Sequence, residues 1–143
     1  MTDLEGAMAI IRRYESCRLQ AYRDIVGVLT IGWGHTGPDV FEGQVIDQLR
    51  ADTMLLEDLA RVAGDVQALL MVSLNHNQFD ALVSFAYNVG SDALARSTLL
   101  RRLNQGENPK DVAAEFLRWD YAGGREVEGL EARRRTEMAL FLS

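Results

Sequence analysis

A change of period near residue 15 constrains the fold of this 143-residue chain more than any other feature of its sequence. Before that point, apolar residues recur at helical spacing and form one stripe: Ala7, Ile10, Ile11 and Tyr14. After it, the stretches 18–23 and 28–33 alternate with a period of two, and residues 24–27 between them are typical of a turn. The sequence therefore predicts a helix followed by an antiparallel β-hairpin.

The ends of these elements carry polar side chains. Thr2 and Glu5 have the spacing of a capping box that opens the first helix. Glu15 lies at the C-terminal edge of the apolar stripe, where partial desolvation favours the protonated carboxyl. In the second strand, the alternation places Thr30 opposite its large apolar neighbours, so we expect its hydroxyl to reach a cleft.

The rest of the chain predicts helices. A long amphipathic helix is indicated by one stripe: Val45, Leu49, Leu56, Leu59 and Ala63. Phe79, Leu82, Val83 and Ala86 indicate a second helix, Asn108 and Pro109 open a third, and Gly123-Gly124 precedes a last one. The sequence thus predicts an α+β fold in a single domain, 1–143, with a small N-terminal lobe of about residues 1–45 and a mainly helical lobe over 46–143.

Composition excludes several classes of protein. One cysteine, Cys17, permits no intrachain disulfide and no cysteine-based zinc site, and we expect it to be a small buried hydrophobe. Two histidines are too few for a His-rich metal cluster, so neither metal nor cofactor is expected. A net charge of −6 disfavours nucleic acid as a partner. No apolar run is long enough to insert into a membrane.

Three polar residues form a candidate catalytic set. Glu15 at a helix end, Asp24 in the hairpin turn and Thr30 on the following strand can converge across a cleft. Glycoside hydrolysis requires such a set, because one acid protonates the leaving oxygen and one carboxylate directs water. Each residue also has an ordinary explanation in capping, turn or strand preference.

The surrounding motifs resemble those of the phage-type lysozymes of glycoside hydrolase family 24. That family has an aromatic-Glu-Gly, an Arg-Leu-x-x-Tyr-x-Asp and a Thr-Ile-Gly-Tyr-Gly-His-Thr motif. The corresponding segments here are YESCRLQAYRD at 14–24 and TIGWGHT at 30–36. Glu15, Asp24 and Thr30 keep the family's intervals of nine and six residues. The resemblance continues through NQFDALVSFAYNVG at 77–90, and through STLL, RW, AGG, GL and RR further on.

The resemblance implies a lysozyme-like fold and a mechanism. Glu15 would protonate the oxygen between N-acetylmuramic acid and N-acetylglucosamine, and Asp24 with Thr30 would hold the attacking water. We predict the wider carboxyl separation of inverting enzymes, roughly 6.5–9.5 Å. Three positions depart from the family pattern: Ser16 replaces a glycine, which limits positive φ after Glu15, Cys17 replaces a leucine, and Trp33 replaces a tyrosine.

Supporting roles are less specific. His35 is expected to be a hydrogen-bonded structural residue, with a supporting role near Asp24 and Thr30 left open. Trp119 is expected in the core rather than as a platform for sugar stacking. The resemblance implies that a C-terminal arginine pairs with Glu15, for which Arg133 and Arg134 are candidates. A solvated helix face is the alternative for both, with Arg133 paired to Glu137.

Two further residues fall in the 77–90 motif. Gln78 and Asn88 are interpreted as capping and hydrogen-bonding residues, although Asn88 could line the cleft.

The resemblance also implies a partner, bacterial peptidoglycan, and an endolysin that acts as a monomer in host cell lysis. The acidic start of the sequence lacks a secretory signal, so we expect synthesis in the host cytoplasm, release by a separate holin and action on the wall in the periplasm. The alternatives are a muramidase-like binding module and a lytic transglycosylase. Since peptidoglycan walls are anionic, the arginines at 101–102 and 133–135 predict a cleft less negative than the whole.

Overall fold

The computed structural model describes residues 4–122, 125–126 and 128–143. Its first part is the predicted helix and hairpin: α1 (Glu5–Tyr14), β1 (Arg18–Arg23), β2 (Leu29–Gly32) and the short β3 (His35–Thr36). Helices follow: α2 (Gln48–Leu69), α3 (His76–Val89), α4 (Ser91–Ala95), α5 (Thr98–Asn104) and α6 (Pro109–Val112). The chain is completed by a 3₁₀ helix (Ala113–Arg118), a two-stranded sheet formed by β4 (Tyr121–Ala122) and β5 (Arg125–Glu126), and helix α7 (Glu128–Leu142).

The three-stranded sheet is antiparallel in the order β1-β2-β3. Tyr22 pairs with Thr30 and Ile31 with His35, and the β1–β2 register is interrupted between Arg18 and Tyr22. The hairpin is thus confirmed, with its second strand shorter than predicted.

Helix α1 buries its predicted stripe, since Ala7, Ile10 and Ile11 are all buried. The helix begins at Glu5, with Leu4 at the capping position in a left-handed conformation and with no side-chain cap. Thr2, the predicted capping residue, lies outside the described residues.

Helix α2 exists as predicted, but the predicted buried face is wrong in part. Leu49 and Leu56 are exposed, and Val45 is exposed and precedes the helix, where it bridges Gln20. The buried face is instead Ala51, Met54, Leu55, Asp58, Leu59, Val62 and Val66. The neighbours of a helix decide which of its faces is buried. The face that α2 packs against the sheet and α3 includes the carboxylate of Asp58.

Local cap predictions are confirmed in the helical part. Helix α3 begins with a capping box in which Asn75 and Gln78 exchange side-chain and backbone hydrogen bonds, and it ends at Gly90. Asn108 accepts a hydrogen bond from the backbone of Lys110, with Pro109 as the first residue of α6. Gly123-Gly124 lies outside the described residues.

Two clusters of apolar side chains hold these elements together. The larger one joins α1, α2, α3, α5, the 3₁₀ helix and α7, and it includes Phe85, Phe116 and Phe141 in edge-to-face contacts. The smaller one packs Ile31 of the sheet against Val40 and Met54. Among the described residues, no helix combines the length and apolar character that crossing a membrane requires.

Trp33 connects the sheet to two helices. Its indole N–H donates to Asp52 of α2 at 2.8 Å, and its carbonyl accepts from the Tyr87 hydroxyl of α3 at 2.8 Å. The guanidinium of Arg12 lies 5.7 Å from its ring centroid. The strand that carries Thr30 is therefore fixed to the helical part just beyond its end.

Candidate active site

A cleft of about 480 Å³ separates the hairpin from the helical part. Glu15 and Asp24 both line it, which brings together two of the three predicted catalytic residues. The other residues on its walls are Tyr14, Ile25, Val26, Asn88, Val89, Trp119, Gly129, Leu130 and Arg133. The cleft is therefore bounded by α1, the hairpin turn, the end of α3 and the start of α7.

Glu15 stands where α1 ends. Its backbone is extended, with φ −94° and ψ 122°, and its N–H still donates to the carbonyl of Ile11 at 2.7 Å. Among the described residues, Leu4 is the only residue other than glycine with positive φ, so Ser16 meets no left-handed strain. The chain leaves the helix through an extended Glu15, and this geometry does not require the glycine of the family pattern.

Gly34 makes room for the Glu15 carboxylate. A Cβ atom at this position would lie 2.7 Å from Oε2 of Glu15, and the backbone has φ +87°, which glycine adopts without cost. Sequence reasoning used Gly34 only as part of a motif. This close approach identifies Gly34 as a residue that helps to position the Glu15 carboxylate. Its place between Trp33 and His35 in the motif was the indication available in the sequence.

On the opposite side, Arg133 holds the carboxylate. Its Nη1 lies 3.2 Å from Oε1 of Glu15, and its side chain is 2% exposed while that of Glu15 is 21% exposed. Its remaining donors reach Glu137 at 3.3 Å and the carbonyl of Ser84 at 3.2 Å. Of the two candidate arginines, Arg133 is the one that contacts Glu15, and the solvated face is excluded for it.

Arg134 is fully buried and directed elsewhere. It donates to the carboxylate of Glu137, to the side-chain oxygen of Asn88 and to the carbonyl of Trp119, the last at 2.8 Å. Its guanidinium also lies 5.0 Å from the ring centroid of Phe85. Burial lowers the pKa of Arg134, against the opposing effect of Glu137. This arginine therefore braces the residues that form the cleft wall.

The three adjacent arginines do not form one basic patch. Arg133 and Arg134 are buried and paired, while Arg135 is exposed and pairs with Glu131 at 3.2 Å. In α5, Arg102 is paired with Glu107 and Glu115. The expectation that the cleft is less negative than the whole stays a prediction.

Asp24 is held by its own turn. Its Oδ1 accepts from the backbone N–H groups of Val26 at 3.0 Å and Val28 at 2.8 Å. Its N–H and carbonyl also bond within the turn, to Val28 and Gly27. Both hydrogen bonds to the carboxylate use one oxygen, which fixes the carboxylate plane beside the cleft.

Thr30 is buried and is not among the residues that line the described cleft. Its side chain is 3% exposed, and its hydroxyl donates to the carbonyl of Val28 at 2.8 Å. The expectation that this hydroxyl opens onto the cleft surface is therefore not what the structure shows. A strand residue facing away from the apolar side can still be covered by other parts of the protein.

His35 is hydrogen-bonded at both ring nitrogens, as the structural interpretation expected. Nδ1 lies 2.6 Å from Asp58 and Nε2 lies 3.0 Å from Asp39. Burial acts to lower the pKa of His35, but the hydrogen bonds to these two carboxylates outweigh it and raise the pKa. The pKa of Asp39 is lowered, chiefly by the same hydrogen bond. His35 therefore ties β3 to α2.

Two tyrosines near Glu15 were not singled out from the sequence. Burial and then the charge of Glu15 raise the pKa of Tyr22, whose ring lies 4.3 Å from the Arg18 guanidinium. Burial raises the pKa of Tyr87 as well, with contributions from Asp58 and Glu15. Both phenols thus remain neutral neighbours of the carboxylate, and the Arg-Leu-x-x-Tyr-x-Asp motif was the available signal for Tyr22.

The remaining candidates have mixed outcomes. Trp119 is half-buried against Phe85, with ring centroids 5.4 Å apart, and it also lines the cleft. Asn88 lines the cleft as well and bonds to Arg134. Cys17 is only partly buried, beside the side chain of Gln48 at 3.5 Å. In the part of the chain that the structure describes, no group of three or more His, Cys, Asp or Glu is placed to hold a metal ion.

A small antiparallel sheet and a helical body with a carboxylate on each side of the cleft define the lysozyme-like class of fold. The muramidase domain of SpmX from Asticaccaulis excentricus superposes with a TM-score of 0.87 at 33% identity, over 100% of this chain and 99% of that one. A phage P22 lysozyme mutant gives a TM-score of 0.81 at 41% identity, over 100% and 99%.

The family model for phage lysozyme matches residues 12–137, and this chain belongs to the phage lysozyme family. It is 44% identical to the endolysin of Salmonella phage P22, over 93% of this chain and 92% of that protein. It is 43% identical to the endolysin of Bacillus phage B103, over 100% of this chain. The chain spans only 55% of that relative and 54% of the endolysin of Bacillus phage PZA.

Proposed function

We propose that this chain is a muramidase of the endolysin type, which hydrolyses the β-1,4 bond between N-acetylmuramic acid and N-acetylglucosamine in bacterial peptidoglycan. One observation carries the proposal: Glu15 and Asp24 line the same cleft, and Arg133 fixes the first of them. Relatives named endolysins, one of them covered over 92% of its length, support it.

Glu15 acts as the general acid. It protonates the glycosidic oxygen as the bond from that oxygen to the anomeric carbon breaks, and positive charge develops on the sugar ring. Gly34 leaves space for the carboxyl, and Arg133 holds it through an ion pair. An acid held in this way loses little orientational freedom when the substrate binds.

Asp24 directs the water. One of its oxygens is engaged by the turn. The other, which has no hydrogen bond to the described residues, can accept a proton from the attacking water as the new bond to the anomeric carbon forms. Thr30, whose buried hydroxyl donates to the carbonyl of Val28, supports the turn that holds Asp24. The product is an inverted reducing sugar, and a carboxyl separation of roughly 6.5–9.5 Å stays a prediction.

The cellular setting is also part of the proposal. We expect a monomer that is made in the host cytoplasm, depends on a holin for release, and acts on the wall in the periplasm. Expression with and without a co-expressed holin tests this dependence. Lysis at equal rates in both cultures would contradict it.

The deciding experiment replaces Glu15 by glutamine in a turbidity assay on permeabilised cells. Since general acid catalysis contributes about 10²–10⁴-fold, Glu15→Gln should lose activity by that factor while its circular dichroism is unchanged. Glu131→Gln, an exposed glutamate of α7, is the matched control and should keep full activity. Near-normal lysis by a folded Glu15→Gln protein would overturn the mechanism.

Product analysis separates the alternatives. Mass spectrometry of released muropeptides should show reducing ends that contain one added water, whereas anhydro sugars would indicate a lytic transglycosylase. Sedimentation of the protein with intact walls, without release of fragments, would indicate a binding module instead.

A further inference from the structure

We propose that Glu137 is a positioning residue that holds Arg133 against Glu15 and balances the charge around the acid. The inference rests on the proposed function and extends it to a residue outside the cleft. Glu137 lies on α7, one helical turn beyond Arg133, and its side chain has no exposed surface. A carboxylate in such a place is costly unless several donors satisfy it.

The donors are present. Oε2 of Glu137 accepts from the Ser84 hydroxyl at 2.6 Å and from Nε of Arg133 at 3.3 Å, and Oε1 accepts from Arg134. Ser84 belongs to α3, so the carboxylate also ties α7 to the helix that lines the end of the cleft. Glu137 is thus bound to both arginines that organise the site.

This arrangement leaves Arg133 one orientation. Its Nε is fixed by Glu137, its Nη2 by the carbonyl of Ser84 and its Nη1 by Glu15. Without Glu137, the guanidinium loses the partner of its Nε and keeps only the Ser84 carbonyl and Glu15, so its orientation is less strictly fixed. The Glu15 carboxyl would then be held less firmly by Arg133.

The charges lead to the same assignment. Four groups contribute to the formal charge around the acid: the guanidiniums of Arg133 and Arg134 and the carboxyls of Glu137 and Glu15. Their sum is zero when Glu15 is ionised and +1 when Glu15 holds its catalytic proton. Without the charge of Glu137, the sum with a protonated Glu15 would be +2. Because the two guanidiniums and Glu137 are buried, the charge of Glu137 acts on Glu15 through its contact with Arg133.

Other charged groups around the pair do not replace this contribution. Tyr22 and Tyr87, which face Glu15 from β1 and α3, are neutral phenols, and Asp24 lies across the cleft. Tyr14 of α1 bonds to Thr136 of α7 through its hydroxyl.

The 3₁₀ helix packs on α7 and brings a further carboxylate. That carboxylate, Glu115, is engaged by Arg102 and Arg118. Among the described residues, Glu137 is therefore the buried carboxylate that contacts both Arg133 and Arg134.

The test compares Glu137→Gln, which removes the charge, with Glu137→Asp, which keeps the charge but shortens the side chain. Arg135→Gln, at an exposed pair on the same helix, is the control. Two quantities are measured in each protein: the pH profile of wall lysis, and the ¹³C titration curve of the Glu15 carboxyl in the absence of substrate. The second does not depend on activity, so failure of the proposed function would leave it interpretable.

In Glu137→Gln, the alkaline limb of the profile and the Glu15 titration curve should both move to lower pH, by about half a unit or more. In Glu137→Asp, both should keep their positions while kcat falls at least about threefold through misplacement of Arg133. The control should change neither. A folded Gln variant with unmoved curves would overturn the charge role, and an unchanged kcat in the Asp variant would overturn the positioning role, even if the Gln variant fails to fold.

Discussion

The two walls of the cleft hold their carboxylates in opposite ways. On one wall, Glu15 is fixed by Arg133, a residue 118 positions away whose own partners are buried in the helical part. On the other wall, Asp24 is fixed by backbone N–H groups only two and four residues further along the chain. The tip of that hairpin is exposed, with Ile25 73% accessible to solvent.

The difference shows that the position of Glu15 depends on the whole fold, whereas the position of Asp24 depends on a local turn. Buried ion pairs are costly to break, because the remaining partner is left as an uncompensated charge. Backbone hydrogen bonds within a turn survive most side-chain changes. Substitutions on the two walls should therefore have very different consequences for stability.

The largest effect is expected on the buried wall. Arg134→Met leaves Glu137 with one guanidinium partner fewer in a fully buried place, and should lower the free energy of unfolding by about 3–5 kcal/mol. Urea denaturation at neutral pH measures it. Arg135→Met, its exposed neighbour, should stay within about 0.5 kcal/mol of the original protein. Equal losses in both variants would mean that the stability of this wall does not depend on its buried ion pairs.

An intermediate effect that depends on pH is expected at His35. The folded pKa lies above the unfolded value of about 6.5, so its stabilisation is fully present below that pH and is lost as the pH rises through the folded pKa. His35→Asn should therefore cost about 1.5–3 kcal/mol at acid pH, the range for hydrogen bonds to charged groups, and less in alkali. Unfolding of both proteins by urea on either side of neutrality tests this. A difference that grew with pH would show the wrong sign.

The smallest effect is expected at the hairpin tip. Ile25→Ser removes an exposed apolar side chain from a turn whose hydrogen bonds are made by Asp24 and the backbone, so stability should change by less than about 0.5 kcal/mol. Thermal unfolding provides the measurement. A loss of several kcal/mol would mean that this wall, too, depends on side-chain packing.

Local features could be predicted from the sequence because a few neighbouring residues determine them. The hairpin, the Asn108-Pro109 start of α6 and the capping role of Gln78 all belong to this class. The same holds for Asp24, whose turn supplies its partners. Motif intervals also identified Glu15, although they carried no information about what surrounds it.

Long-range features could not be predicted, for a geometric reason. Arg133 and Arg134 are adjacent in sequence but point about 100° apart on a helix, and nothing local fixes the rotation of α7. Spacing alone makes Glu137 an ordinary solvated partner of Arg133, whereas the structure buries it completely. The exposed Leu49 of α2 shows the same difficulty, since apolar identity does not say which face meets a neighbour.

The two tryptophans of the chain lie in different parts of the molecule. Trp33 is bonded to Asp52 where the sheet meets α2, and Trp119 lies on the cleft wall beside Phe85. Indole fluorescence depends on local polarity and on nearby charges, so each ring reports a different event. Emission from Trp119 should respond when a glycan enters the cleft, while emission from Trp33 should follow loosening of the sheet from α2. The protein thus carries two intrinsic optical probes, which single-tryptophan variants would separate.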